Sequence, residues 1–378
     1  MNLSKLIEMS REYGSNPDYV LAGGGNTSYK EGSEMAVKAS GGALGTITED
    51  GFVLMDVAKL RALTQADYPE EDDAREACAI KDMMAARLAG QGEKRPSVEC
   101  ILHGLFPQAY VLHLHPALVN GLTCGQGGAA AAARLFSDIE DEFVWMPLTK
   151  PGFVLSKACA EAFAASEKRY GKHPSVVLLQ NHGIFVAGAT VEECGAKMAD
   201  AVARISKEIQ RKPDFAAVPA PDGADGLEKA LAALYGEAAG GQGGACVPVF
   251  NKEVERLTAS KEAYAPLLKP FSPDHIVYCR AYPLFLEGAG EAELRQGFAA
   301  YAAKYGFPPK VVAVRGVGVC CLGKDAHEAE MARLLFLDAA KIAVYSASFG
   351  GALPLPDDFT AFITNWEIES YRQKKSIG

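Results

Sequence analysis

Seven histidines occur in the chain, and two of them stand one residue apart in His113-Leu114-His115. The run YVLHLHP (110–116) is apolar, β-prone and ends at proline, so it reads as a strand. Side chains at i and i+2 of a strand share a face, which lets both imidazoles turn towards one ion. A third histidine, His182, sits in the turn NHG between SVVLLQ and IFVAG, two apolar runs that read as a β-hairpin. Gly183 lets the backbone turn sharply there. Three imidazoles leave one corner of a tetrahedral site open, the arrangement of a catalytic zinc rather than a structural one. Imidazole suits zinc, and manganese, cobalt and iron accept it too. The plainer reading is a surface histidine pair and an ordinary turn. His103, His173, His275 and His327 have no such neighbours and read as surface or helix positions.

The elements that must hold these groups follow from periodicity. Residues 2–13 read as a helix, with Leu3, Leu6, Ile7 and Met9 near one face. Residues 18–30 read as strand, glycine turn, strand, and a further strand from Glu34 to Ala39 runs into the turn SGGALG. Helical patterns cover 56–66, 73–90, 98–106, 155–168 and 191–211, the last opened by a capping box of Thr190 and Glu193. FVWMPL (143–148) adds a short strand. The order is not a strict βαβ alternation. The expected fold class is therefore α/β, a central and mostly antiparallel sheet with helices on its faces.

At 378 residues the chain is longer than one average domain. The texture changes near residue 212, where KPDFAAVPAPDGADG reads as a linker, and GEAAGGQGGAC (236–246) is a second glycine-rich stretch. These give a first domain at 1–212, a linker at 213–244 and a second domain at 245–378. The second domain partly repeats the first. Residues 310–343 can be laid on 175–209, with Gly318 on Gly183, Gly323 on Gly188 and Val317 on His182. Upstream, VYCRAYP (277–283) loosely echoes VLHLHP without either histidine. Chance similarity of two strand–strand–helix units is the alternative.

Hydrophobic residues at 49% and charged residues at 22% make an ordinary globular mixture, able to bury a large core. A net charge of −9 leaves no basic footprint, which argues against nucleic acid or an anionic membrane as partner. The start is amphipathic rather than signal-like, and no run reaches the roughly 18 apolar residues of a membrane span. Nine cysteines without a CxxC pair suit reduced thiols in a cytoplasmic protein. Cys320 and Cys321 read as core filler. No GK[ST] follows the glycine triplet, no GxGxxG opens a helix and no GxSxG elbow occurs. Kinase, dinucleotide and serine-hydrolase readings are weakened accordingly.

Taken in order, GGGNTS, KASGGALG, PSVE with LH beyond it, HLHP and NHG resemble the class II aldolase/adducin family. The stretches ASGGALGTITEDGFVLMD and VWMPLTKPGF are most similar to its sugar-phosphate branch, the aldolase portion of rhamnulose-1-phosphate aldolase-type proteins. The resemblance is specific over 20–210 and continues more weakly to the C-terminus. It implies a three-layer α/β/α fold and a zinc ion held by His113, His115 and His182. It implies Glu99 as the acid/base beside the metal; read alone, Glu99 is a surface carboxylate in the first turn of a helix. It implies a phosphate cradle of Asn26, Ser28, Ser40, Gly41 and Ser97; read alone, GGGNTS is a hairpin turn. Lys38 could add positive charge or point to solvent. The implied reaction is retro-aldol cleavage of a ketose-1-phosphate, such as rhamnulose- or fuculose-1-phosphate, to dihydroxyacetone phosphate and an aldehyde. The resemblance leaves open a pentulose-phosphate 4-epimerase and a non-catalytic adducin-like module. It also implies a small phosphorylated sugar as partner, and a homo-oligomer with a site at a subunit boundary.

Overall fold

The computed structural model describes residues 1–366 apart from 223, 225 and 242. Backbone contacts divide them into two units, residues 1–208 with Trp366 and residues 209–365.

The first unit runs α1 (Ser4–Gly14), β1 (Asn26–Glu31), β2 (Glu34–Lys38), β3 (Phe52–Asp56), α2 (Val57–Leu63), α3 (Asp72–Ala85), α4 (Cys100–Leu105), β4 (Tyr110–Leu114), α5 (Ala117–Thr123), α6 (Gly128–Leu135), β5 (Phe143–Met146), α7 (Phe153–Tyr170), β6 (Val176–Leu179), β7 (Gly183–Gly188) and α8 (Val191–Ser206). Its sheet has the order β3-β2-β1-β4-β7-β6-β5. Every neighbouring pair is antiparallel except β5 and β6. Val111, Val177, Leu179, Phe185 and Ala187 pack against Leu102 and Phe106 at α4 and against Leu155, Cys159 and Phe163 on α7. The opposite face carries α1, α5 and α8. Both faces are thus covered, which is why the central strands read as unbroken apolar runs rather than alternating ones. The expected three-layer α/β/α arrangement is the one observed.

One strand expectation fails. Residues 18–25 form a loop, with φ of +50° at Ala22 and +62° at Gly25, and the strand starts only at Asn26, opposite His113. A Cβ at Gly25 would stand 2.9 Å from His113 O, so the glycine run serves a close crossing over the end of β4.

The second unit runs α9 (Leu227–Ala238), β8 (Ala245–Val249), α10 (Lys252–Leu257), α11 (Lys261–Tyr264), α12 (Pro273–Cys279), β9 (Leu284–Leu286), α13 (Glu291–Tyr305), β10 (Val311–Val314), β11 (Gly318–Gly323), α14 (Ala326–Ser346) and α15 (Asp357–Asn365). Its sheet has the order β8-β11-β10-β9, with β9 and β10 parallel. The stretch expected as a linker is not one throughout. Within it, α9 buries Leu227, Leu231, Leu234 and Tyr235 against Cys246, Phe298, Val312 and Cys320. Leucines at helical spacing make it amphipathic, and alanine, which reads as linker texture, is the best helix former. The last part of the second domain expected at 245–378 lies outside the described residues.

The two sheets share a register at a constant offset of 135 residues. Val176 pairs with Val186 and Leu179 with Gly183; Val311 pairs with Cys321 and Val314 with Gly318. The capping boxes match as well. Thr190 accepts from Glu193 N and Glu193 from Ala189 N; Asp325 accepts from Glu328 N and Glu328 from Lys324 N. Tyr110 of β4 stands opposite Gly188, and Ala245 of β8 opposite Gly323. The counterpart of β4 is therefore β8. The segment 277–283, expected in that place, begins inside α12, which Pro273 opens from its first turn. At this offset Pro248, Phe250 and Val317 take the positions of His113, His115 and His182. Among the described residues no helix is long and apolar enough to cross a membrane.

Candidate functional site

His113 stands near the end of β4, on the face covered by α4 and α7. Phe185, opposite it in the ladder, lies on its ring with centroids 3.9 Å apart. His113 Nδ1 is 3.0 Å from Ile184 O. A carbonyl only accepts, so Nδ1 carries the proton and Nε2 presents its lone pair. Burial pushes His113 down to about 4, which keeps the ring neutral at neutral pH.

His115 lies just past the end of β4, and its backbone N–H donates to Tyr19 O at 3.1 Å. His115 Nε2 lies 2.9 Å from His113 Nε2. His182 enters from the β6–β7 turn, where Asn181 has a φ of +56°. A Cβ at Gly183 would lie 2.4 Å from Leu114 O and 2.9 Å from His115 Cδ2, so this close approach requires glycine. Asn120 Nδ2 donates to His182 O at 3.2 Å, and Thr123 Oγ1 donates to Asn120 Oδ1 at 2.9 Å. One ring nitrogen from each of His113, His115 and His182 lies within 4.8 Å of the others.

Glu99 immediately precedes α4 and makes no capping bond to it. Its side chain is buried and aimed at the histidines. Oε1 is 3.3 Å from His113 Nε2 and 3.1 Å from His182 Nε2, and it accepts no hydrogen bond. A carboxylate oxygen without a donor therefore faces a ring lone pair in a buried space. Groups so arranged repel each other unless a cation lies among them. The residues fit a divalent ion on that ground, and three imidazoles suit zinc.

The residues expected to cradle phosphate divide into those near this cluster and one that is covered over. Asn26 Nδ2 donates to Ser97 Oγ at 3.1 Å and to Glu99 Oε2 at 2.6 Å. Ser97 N donates to Lys38 O and Ser40 N to Arg95 O, so the chain at 38–40 lies along 95–97. Gly41 continues it with a φ of +86°. Ser28 does not fit the expectation. Its hydroxyl is fully buried and 2.7 Å from His103 Nδ1, on the same sheet face as Asn26 but covered by α4. Lys38 does not point to solvent either; it is buried, with Nζ donating to Gly23 O at 3.2 Å.

Of the histidines read as surface or helix positions, His103 and His275 do lie in helices, α4 and α12, but neither is at the surface. His275 is buried between Ser272 Oγ and Asp338 Oδ2. His103 is fully buried and bonded to both Asn26 and Ser28. The signal that could have found His103 is its spacing of four from Glu99, which puts both on one helix face.

A sequence model of the class II aldolase and adducin N-terminal domain matches residues 4–205. The uncharacterized oxidoreductase YuxG of Bacillus subtilis (strain 168) is 24% identical over 414 residues, covering 98% of this chain and 58% of that protein. The chain thus spans less than two thirds of that curated relative's length. Among solved structures, the N-terminal class II aldolase domain of a conserved protein from Thermoplasma acidophilum is 26% identical. It covers 56% of this chain and 94% of its own, with a TM-score of 0.46. The L-fuculose-1-phosphate aldolase of Thermus thermophilus is 15% identical, covers 55% and 94%, and has a TM-score of 0.35.

Proposed function

We propose that this chain, which belongs to the class II aldolase and adducin N-terminal domain family, is a zinc-dependent carbon–carbon lyase. Its substrate in this reading is a ketose-1-phosphate, cleaved to dihydroxyacetone phosphate and an aldehyde. The observation that carries the reading is the convergence of His113, His115 and His182 on one point with Glu99 Oε1 beside them.

When bound, the metal supplies Lewis-acid polarisation of substrate oxygen. His113, His115 and His182 would hold it. Ile184 O keeps the His113 proton on Nδ1, so that Nε2 is free to ligate. Glu99 is the acid/base, and Oε1 is the atom at which a proton is taken up and returned. Asn26 restrains the other oxygen, Oε2. Ser40, Gly41 and Ser97, with Asn26 alongside Ser97, are the proposed phosphate contacts. The first unit carries this chemistry. In the second, Pro248, Phe250 and Val317 offer no ligand atoms, and the unit is read as a non-catalytic, adducin-like interaction module.

Elemental analysis of the purified protein and of a His113→Ala, His115→Ala double variant tests the metal centre. About one zinc per chain, lost in the variant, is expected. A screen of ketose-1-phosphates with a reductase that traps free aldehyde then tests the reaction. Absence of metal in both proteins after zinc is added back overturns the lyase reading. A pentulose phosphate returned epimerised without free aldehyde replaces cleavage by epimerisation.

A further inference from the structure

His103 lies four residues after Glu99, fully buried, and its backbone N–H donates to Glu99 O at 3.0 Å. The metal reading gives it no task, yet both of its ring nitrogens are committed. Nδ1 is 2.7 Å from Ser28 Oγ, and Nε2 is hydrogen-bonded to Asn26 Oδ1. The protons on these bonds can be assigned from the partners. A carboxylate oxygen only accepts, so Asn26 presents its amino group to Glu99 Oε2 and its carbonyl to His103. An amide carbonyl only accepts, so His103 Nε2 donates. Burial pushes the His103 imidazolium well below its ordinary range, so the ring holds one proton. Nδ1 then accepts, and Ser28 gives it the hydroxyl proton. A single directed chain results, from Ser28 through His103 and Asn26 to Glu99.

We propose that His103 is a positioning residue: its Nε2–H fixes the Asn26 amide so that N–H, never C=O, meets Glu99 Oε2. An Asn26 amide turned by half a revolution would set its oxygen against the carboxylate, acceptor against acceptor, and displace Glu99 from His113 and His182. The chain holds the orientation that leaves Oε1 for proton transfer. This role rests on the reading of Glu99 as acid/base, whereas the amide orientation stands apart from it.

Two measurements separate those parts. In the first, nitrogen NMR of wild-type protein labelled at histidine and asparagine needs no substrate. A His103 ring protonated at Nε2, together with a slowly exchanging Asn26 side-chain amide, is expected. A ring protonated at Nδ1 overturns the proposal, as does an Asn26 amide that exchanges like an exposed one. The second measurement is steady-state kinetics of His103→Leu and His103→Gln. Glutamine places an amide N–H near the position of Nε2, and leucine places none. For leucine a fall in kcat of about a hundredfold is expected, with KM moving by less than about threefold. Glutamine should recover at least about tenfold of that loss. Equal kcat in the two variants overturns the positioning role. If the leucine variant does not fold, His103→Gln is read against wild type: a fall in kcat of no more than about tenfold with KM within about threefold is expected, and a fall of about a hundredfold overturns the role. If wild-type protein cleaves no ketose phosphate, the lyase reading fails while the NMR result still decides the amide orientation.

Discussion

Phe185 lies on His113 with the two ring planes 13° from parallel and their centroids 3.9 Å apart. The stack comes from their opposition in neighbouring strands, and it leaves the imidazole one orientation, edge towards Glu99. Phe185→Leu keeps an apolar residue there and removes the flat support. It should cost about 1 kcal/mol of stability and weaken zinc binding about tenfold. Chelator competition and urea unfolding on the same preparations check both. Unchanged zinc affinity would show that the Nδ1 bond to Ile184 O suffices to aim the ring.

Glu99→Gln separates holding the metal from moving the proton. The amide keeps the shape of the carboxylate and cannot serve as a base. Zinc content should stay near the wild-type value while kcat falls between about a hundredfold and ten thousandfold. Elemental analysis beside a coupled aldehyde assay reads both quantities. Full activity in this variant would remove Glu99 from the proton path.

Ser28 and Ser97 should behave differently under the same substitution. Ser97 Oγ meets Asn26 at the site, so Ser97→Ala should raise KM for a phosphorylated substrate. Ser28→Ala should leave KM within about twofold and cost about 1–2 kcal/mol of stability, because His103 Nδ1 loses its buried donor. Initial-rate kinetics and urea midpoints for the two variants make the comparison. A large KM change for Ser28→Ala would mean that its hydroxyl turns towards substrate.

Lys30 gives the fold a pH dependence. It stands on β1 with Nζ donating to Gln108 O, and burial lowers its ammonium to about 7. In the unfolded chain its value is near 10.4. Between these two the unfolded state binds more protons, so stability from this group rises with pH through that window and is lost as pH falls to 7. Each unit inside the window is worth up to about 1.4 kcal/mol. Lys30→Met lacks this term. Its stability advantage over wild type should be greatest near pH 7 and shrink towards pH 10, as read from denaturant unfolding at each pH. A difference independent of pH would place the Lys30 pKa in the ordinary range.

The three histidines are legible in the sequence as candidates through local signals, while their union with Glu99 in one site is implied by the resemblance. Two histidines at strand spacing and a glycine beside the third each constrain a direction, whereas Glu99 read alone is a surface carboxylate. The antiparallel sheet and the Thr190–Glu193 cap are legible for the same reason. What escapes depends on packing across the chain. His103 reads as a surface or helix position until β1 is laid against α4, and Ser28 reads as a cradle residue until α4 brings His103 over it. Lys38 reads as a site charge or a solvent-facing residue by its alternation in β2, and only the fold supplies the Gly23 carbonyl that receives its ammonium. The stretch ahead of the glycine turn in residues 18–30 reads as a strand because composition does not reveal that the loop crosses His113 O. The α9 helix is hidden by alanine and glycine, and β8 by the proline next to its end.

That proline has an effect of its own. In the first unit β4 is bonded on both sides, by β1 and β7; in the second, β8 ends the described sheet with only β11 beside it. Such a margin offers a row of donors and acceptors on which an alien chain can template itself. Pro248, opposite Cys320, brings no N–H, and a proline is accepted in a ladder only where that gap faces outward. The residue at the vacated place of His113 thus also breaks the margin of the sheet, and makes it a poor seed for aggregation.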